Sequence, residues 1–262
     1  MRPRPTRIPK ADFSSQVLRS AKLSVSVLAV SVGTLVSQGC TCEAPRTEIP
    51  TYEAARAEVP PAIDGVLDDE VWSQASNTER FVHTMTGDPA DPESTAQMAW
   101  DDTHLYVAFD VADDWLHCDL EGHDAHLWEQ DTVEIMVDPD GDGLNYFEMQ
   151  LSPTDQVFDT RYVSRRVPQP FGIVTWQSEL RGACAVDGTV NDDATDTGYT
   201  AEIAIPWTAF TNHERPTAGA EWRIALYVLD QRPDGWRGVG WSPPLVGDFH
   251  VPDRFGRVRF AD

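Results

Sequence analysis

Alternation of apolar and polar residues with a period of two is the feature of this sequence that most restricts its fold. The segment DTVEIMVD places Val133, Ile135 and Val137 on one face and leaves Glu134 on the other. The segments HLYVAFDVAD, NYFEMQLS, GYTAEIAIPW and WRIALYVLD repeat this pattern. Because successive side chains of a β-strand point to opposite faces, the alternation predicts strands that bury one face.

Turn-forming residues separate these short segments. Gly, Pro and Asp lie between them, and no long stretch has helical periodicity. Short strands joined by such turns are typical of a β-sandwich. We therefore predict an all-β protein, an antiparallel, jelly-roll-like sandwich in a single domain.

The beginning of the chain has the pattern of an export signal. Residues 1–22 carry six basic residues and one acid, and the apolar run LSVSVLAVSVGTLV follows. This run is shorter than the roughly 20 residues of a membrane-spanning helix. A basic segment followed by a short apolar run predicts a signal peptide over residues 1–39. It ends in SQGC, so Cys40 stands where bacterial lipoproteins carry their lipid, with ordinary cleavage nearby or an uncleaved anchor as alternatives.

Residues 40–57 are polar and interrupted by proline, which predicts a flexible tether before a folded domain over residues 58–262. We expect the mature protein in the bacterial periplasm or at the cell surface, held to the membrane through lipid on Cys40. In such an oxidising compartment Cys118 and Cys184 are able to pair as a disulfide, and two separate buried thiols are the alternative.

The charge of the chain excludes several functions. Without residues 1–22 the chain keeps 14 of 20 basic and 42 of 43 acidic residues, a formal net charge near −28, and all 14 basic residues are Arg. So acidic a protein repels nucleic acid and anionic membrane surfaces. Without lysine it also lacks the amine of a Schiff base and of a phosphate-binding P-loop.

Five segments, in this order, resemble the family 9 carbohydrate-binding modules and their wider relatives. They are AIDGVLDDEVWSQA, WDDTHLYVAFDVAD, WEQDTVEIMVDPDGDG, GYTAEIAIPW and HVPDRFGRVRF, and together they cover essentially all of residues 58–262. The resemblance implies a β-sandwich that binds sugar without cleaving it, between two aromatic rings, with calcium as a structural ion. It implies a mono- or oligosaccharide ligand, a role in polysaccharide capture or catabolism, and glycoside hydrolases or transporters as partners.

The resemblance also implies the residues of a sugar site. Trp128 matches one ring of the clamp, and the second ring position falls on Phe249, a smaller ring than the family's Trp. An aromatic ring suits a sugar because the axial C–H face of a pyranose is apolar. Glu134 matches a carboxylate that hydrogen-bonds hydroxyls, whereas Gln150 stands in place of an Arg and Val246 in place of an Asn.

The loop DPDGDG predicts a calcium-binding turn. Asp138, Asp140 and Asp142 alternate as in the first half of an EF-hand loop, where oxygens converge on a hard cation. The bidentate Glu of that motif would fall at Met149, and strands flank the loop. The loop is therefore not an EF-hand, and a simple acidic hairpin is the alternative.

Two other functions stay open at the level of sequence. Glu134 and Glu202 are the carboxylate pair that a glycoside hydrolase would need, although no motif of a hydrolase or a phosphate-binding enzyme accompanies them. A haem-binding domain of the DOMON kind would use an axial Met or His, for which Met136 and Met149 are candidates. Met149 falls on the predicted core face, and we expect apolar packing as the role of both methionines.

Overall fold

The structure is a computed structural model that describes residues 44–262; the predicted signal peptide and Cys40 lie outside these residues. The described part contains twelve strands and one short helix. Their bounds are β1 (Thr51–Arg56), α1 (Glu70–Gln74), β2 (Val82–His83), β3 (Glu93–Trp100), β4 (His104–Ala112), β5 (Thr132–Asp138), β6 (Tyr146–Leu151), β7 (Val157–Tyr162), β8 (Arg181–Asp187), β9 (Gly198–Pro206), β10 (Glu221–Arg232), β11 (Gly235–Gly240) and β12 (Gly256–Phe260).

The strands form two facing layers that β1 joins. The order is β7-β6-β5-β10-β12-β1-β3-β4-β9-β8, with β11 and β2 added beside β10. The first half of β1 pairs with β12, and Ala55 and Arg56 pair with β3. Both pairings of β1 are parallel, whereas the other ladders are antiparallel. The predicted β-sandwich is confirmed, with these two parallel pairings as its departure from a purely antiparallel sheet.

The core lies between the two layers and uses the faces that the alternation predicts. Each large apolar side chain buried there stabilises the fold by roughly 1.5–3 kcal/mol, so the two inner faces supply most of the driving force. The residues predicted to point inward all belong to one hydrophobic cluster, and none is more than 6% exposed. They are Leu105, Val107, Phe109, Val111, Val133, Ile135, Val137, Phe147, Met149, Leu151, Ala201, Ile203, Ile205, Trp222, Ile224, Leu226 and Val228.

The predicted tether over residues 40–57 is wrong for its last part, because residues 51–56 form β1. Tyr52 and Ala54 are buried in the core, and the Tyr52 hydroxyl accepts a hydrogen bond from the Met98 backbone N–H at 3.0 Å. A strand this short gains its stability from the two sheets on either side of it. The folded domain therefore begins at or before Thr51.

Cys118 and Cys184 are both free thiols in the structure. Of the two alternatives, the structure therefore has two separate thiols and not a disulfide. Burial raises the pKa of Cys118 to about 12 and raises that of Cys184 as well. The Cys184 thiol instead lies 3.3 Å from the Ser152 carbonyl oxygen. Within residues 44–262, no helix has the length and apolar character needed to cross a membrane.

The outer face of the layer β7-β6-β5-β10 is also buried, whereas an antiparallel sheet ordinarily has one solvated face. Its buried apolar residues form a second cluster: Met136, Tyr146, Tyr162, Ala225, Tyr227, Leu229 and Phe255. Loops fold over this face, and the Tyr146 hydroxyl ties two of them by bonding His250 at 2.8 Å and the Arg166 N–H at 3.1 Å. The loops leave a cavity above the sheet.

Candidate functional site

The cavity over the outer face of β5, β6, β7 and β10 has a volume of about 540 Å³. Strand residues form its floor, among them Glu134 and Met136 from β5 and Glu148 and Gln150 from β6. Loops form its walls. A cavity of this size with apolar walls and a few converging polar groups is the usual form of a small-molecule site.

The floor is built around Gln150, which lies between two glutamates. Glu134 is paired with Gln150 across the two strands, and Glu148 is two residues away on the same face of β6. The Gln150 Nε2 donates to Glu134 Oε2 and to Glu148 Oε1, each at 2.8 Å. All three residues are at least 96% buried. One amide therefore holds both carboxylates in fixed positions at the bottom of the cavity.

The second oxygen of each group has no partner. Glu134 Oε1, Glu148 Oε2 and Gln150 Oε1 are buried without a hydrogen-bond partner among the described residues, and Glu148 Oε2 lies 3.5 Å from His250 Nε2. Leaving a buried polar atom without a partner costs about 1–3 kcal/mol, so such atoms call for an explanation. Three such oxygens lie together at the floor of one cavity, where a polar ligand would supply the missing hydrogen bonds.

Burial controls the ionisation of the two glutamates. Burial raises the pKa of Glu148 to about 7, and the guanidinium of Arg166 acts in the opposite direction. Burial, and then the charge of Glu148, raise the pKa of Glu134. Two carboxylates that share one amide repel each other when both are charged. Near neutral pH the pair therefore holds a proton that a ligand is able to displace or to use.

Trp128 stands on one wall of the cavity because the motif WEQD folds into a tight turn before β5. The buried Asp131 anchors this turn, since its carboxylate accepts the backbone N–H of His117 at 2.6 Å and that of Gln231 at 2.7 Å. Burial raises the pKa of Asp131 to about 8. His126 stacks on the indole with ring centroids 4.4 Å apart, and Phe171 adds a ring at 5.3 Å.

Phe249 stands on another wall. Its ring stacks on Tyr227 with centroids 4.4 Å apart, and Trp236 lies beside it at 5.9 Å. The Trp236 side chain is 43% exposed and lines the mouth of the cavity. The wall therefore combines a small inner ring with a large outer one.

A charged pair lies at the rim. Arg166 lines the cavity and has a left-handed backbone conformation with φ of 57°. Its Nε and Nη2 donate to Asp248 Oδ1 at 3.0 and 2.8 Å. The neighbouring His250 has its pKa lowered to about 3 by burial, so its imidazole is neutral at ordinary pH. Among the described lining residues the rim therefore holds one cation, Arg166, which is already paired; Arg165, outside the lining, pairs with the same carboxylate.

The structure brings the four predicted ligand residues together. Trp128, Glu134, Gln150 and Phe249 all line this cavity, whereas Val246 is exposed and does not line it. Sequence reasoning missed several lining residues: Glu148, Arg166, Phe171, Trp236 and Asp248. Glu148 shares the face of Gln150 and was readable from the alternation. The other four lie in loops or a hairpin, where no periodicity marks which side chain points inward.

The three aspartates predicted as calcium ligands lie outside the cavity, in the turn from β5 to β6. They offer carboxylate oxygens within 4.8 Å of one another, and Asp138 is buried while Asp140 and Asp142 are exposed. Asp138 accepts the backbone N–H of Gly141 at 3.1 Å and that of Gly143 at 3.0 Å. Burial raises its pKa to about 6. Oxygen ligands fit a hard cation, and the same bonds also complete an acidic hairpin.

The suspected hydrolase pair does not meet. Glu134 lies on the outer face of one layer, whereas Glu202 lies on the outer face of the other, where it accepts hydrogen bonds from the Trp72 indole at 2.6 Å and the Gly65 N–H at 2.9 Å. Glu202 therefore supports the segment around α1. Of the two methionines considered for haem, Met149 packs in the core and Met136 lies in the cavity floor.

The family described as "Carbohydrate family 9 binding domain-like" matches this chain over residues 63–262. The chain belongs to this family. The match covers both layers of the sandwich and every lining residue of the cavity named above. The resemblance seen in the five sequence segments is thereby confirmed.

Long enzymes contain relatives of this family 9 domain. The chain is 30% identical over 200 residues to exoglucanase XynX of Acetivibrio thermocellus, and 29% identical over 201 residues to endo-1,4-beta-xylanase A of Thermotoga maritima. Each match covers 76% of this chain, but only 16% and 17% of the two enzymes. The similarity therefore concerns one part of each enzyme.

Solved structures share the fold. A putative carbohydrate-binding protein from Bacteroides uniformis superposes with a TM-score of 0.68 at 16% identity, covering 81% of this chain and 100% of that one. A family 9 carbohydrate-binding module from Caldicellulosiruptor kristjanssonii, in complex with cellotriose, has a TM-score of 0.56 at 17% identity, covering 80% of this chain and 93% of that one. The same module has also been solved in complex with glucose.

Proposed function

We propose that this protein binds a mono- or oligosaccharide in the cavity above β5 and β6, without cleaving it. The observation that carries the proposal is the cavity itself, in which apolar rings stand on the walls above three buried oxygens without partners. Sugar rings have apolar C–H faces and polar edges. The rings of Trp128 and Phe249 suit the faces, and the floor suits the hydroxyls.

The arrangement of the carboxylates favours binding over hydrolysis. A glycosidase places its two carboxylates on either side of the bond that it breaks. Glu134 and Glu148 instead share the amide of Gln150 and lie side by side on the floor. A sugar bound above the floor would contact both carboxyl groups with one edge of its ring. We therefore assign no catalytic step to this cavity.

Calcium is proposed at the turn from β5 to β6. Asp138, Asp140 and Asp142 would supply carboxylate ligands, and the ion would neutralise part of the charge gathered there. The ion would have a structural role, since the turn lies outside the cavity. It would fix the register of β5 on β6, and with it the relative position of Glu134 and Gln150.

We further propose that the protein is exported, anchored to a membrane by lipid on Cys40, and captures polysaccharide fragments for a glycoside hydrolase or a transporter. The leader sequence supports export. The relatives named exoglucanase and xylanase support an association with polysaccharide breakdown.

Calorimetric titration of the purified protein with cellotriose and glucose tests the binding function. We expect both to bind, and we expect Trp128→Ala to weaken binding about fivefold or more, since ring stacking is worth about 1 kcal/mol beyond buried area. Trp115→Ala is the matched control, because Trp115 stacks on His117 and does not line the cavity. Full affinity in folded Trp128→Ala would contradict the proposal. So would release of reducing sugar by the wild type.

A further inference from the structure

The cavity floor offers more free acceptors than free donors. The two N–H groups of Gln150 Nε2 are both directed to the glutamates at 2.8 Å. The other donors beside the floor, the Tyr162 hydroxyl and His250 Nε2, face the carboxyl group of Glu148. What remains is one free oxygen on each of Glu134, Glu148 and Gln150. A ligand group that fits this floor must therefore donate hydrogen bonds in several directions.

The cavity is also rich in carboxyl groups. Those of Glu129, Glu134, Glu148 and Asp248 line it, and Asp248 is paired with Arg165 and Arg166. The pair of Glu134 and Glu148 holds a proton near neutral pH, which a bound cation would displace. The Arg166 guanidinium already donates twice to Asp248. Since His250 is neutral, no unpaired cation among the described lining residues balances the glutamates of the floor.

A protonated amine matches both properties. An ammonium group has three donors and no acceptor, whereas a hydroxyl has one donor and two lone pairs. Hydrogen bonds from a cation to a carboxylate are roughly twice as strong as neutral ones. The aromatic walls add to this preference, because ring faces such as that of Trp128 attract cations.

We propose that this cavity selects sugars that carry a protonated amino group, such as glucosamine and its oligomers, with the ammonium directed at Glu134, Glu148 and Gln150. The inference rests on the proposed carbohydrate-binding function and names its ligand class. The same charge disfavours sugar acids, whose carboxylate would meet two glutamates. Acetylation of the amine removes both the charge and two of the three donors.

Calorimetry with four small sugars tests the inference at about pH 7, where an amine next to a ring carbon is mostly protonated and Glu148, whose pKa is about 7, is partly ionised. We expect glucosamine to bind at least about tenfold more tightly than glucose or N-acetylglucosamine, a difference of about 1.4 kcal/mol. Glucuronate should bind most weakly. Added salt should weaken glucosamine binding more than glucose binding, because it screens only the charged ligand.

A pair of variants locates the effect. Glu148→Gln keeps the shape of the floor and removes one charge, so we expect it to lose most of the preference for glucosamine. Glu121→Gln removes an exposed carboxylate that does not line the cavity, and it should keep the preference. Equal or tighter binding of glucose to the wild type would overturn the inference and leave the proposed function intact. If none of the neutral sugars, glucosamine or cellotriose binds at millimolar concentration, the proposed function fails and the inference fails with it.

Discussion

The charge of Glu148 should make the unliganded protein less stable as the pH rises. Its side chain is 95% buried, and burial raises its pKa from 4.5 to about 7. Below about pH 4.5 the folded and unfolded states both hold this proton, and between 4.5 and about 7 only the folded state does. The free energy of unfolding therefore falls as the pH rises through this window.

The magnitude follows from the shift in pKa. A difference of about 2.5 units, at 1.36 kcal/mol per unit, corresponds to about 3 kcal/mol of stability lost above pH 7. Glu148→Gln removes the ionisation and keeps a carbonyl oxygen to accept from Gln150 Nε2. We expect the variant to match the wild type near pH 4.5 and to exceed it by about 2–3 kcal/mol near pH 8.

Urea unfolding curves at several pH values, extrapolated linearly to water, measure this difference. Many carboxylates of this acidic chain affect the absolute stability, so the informative quantity is the variant minus the wild type at each pH. Glu129→Gln, which changes an exposed carboxylate, should give a difference near zero throughout. A constant difference between Glu148→Gln and the wild type from pH 4.5 to 8 would refute the argument.

Three further changes probe other parts of the structure. Trp236→Ala should lower the affinity for cellotriose about fivefold more than the affinity for glucose, because this ring lies at the mouth, where a second sugar unit would extend. Equal losses of affinity for the two sugars in a titration would count against that placement. Chelation of calcium should lower the melting temperature of the wild type, because a bound ion stabilises the folded state, and it should leave the melting temperature of Asp140→Ala unchanged. If chelator changes the melting temperature of neither protein, the loop is a simple acidic hairpin. Cys40→Ser should move the protein from the membrane to the soluble fraction, since each buried methylene of an acyl chain contributes about 0.8 kcal/mol; unchanged fractionation would contradict lipidation.

The sandwich was predictable because alternation is a local property of the sequence. Ile135 and Glu134 differ in polarity at adjacent positions, and this alone assigns them to opposite faces of β5. The segment TYEAAR gave no such signal, because alanine is neither strongly apolar nor polar. β1 becomes a strand through pairing with β12 and β3, which lie far from it in sequence.

The candidate site was predictable only in part, for the same reason. Glu134 and Gln150 follow from strand phase and from the resemblance to family 9 modules. Arg166 and Trp236 reach the cavity through a loop and a hairpin whose course depends on tertiary contacts. The charge balance of the floor was equally hidden, because it depends on which cations are already paired, and only the structure shows that Arg166 bonds Asp248.

A crystal structure of the protein with cellotriose tests the central claim most directly. The account predicts a pyranose ring in the cavity, with its faces toward Trp128 and Phe249 at about 4 Å, the distance of apolar contact. Its hydroxyls should lie within hydrogen-bond distance of the free oxygens of Glu148 and Gln150. An empty cavity at a saturating concentration of the sugar, or a sugar bound at another surface, would contradict it.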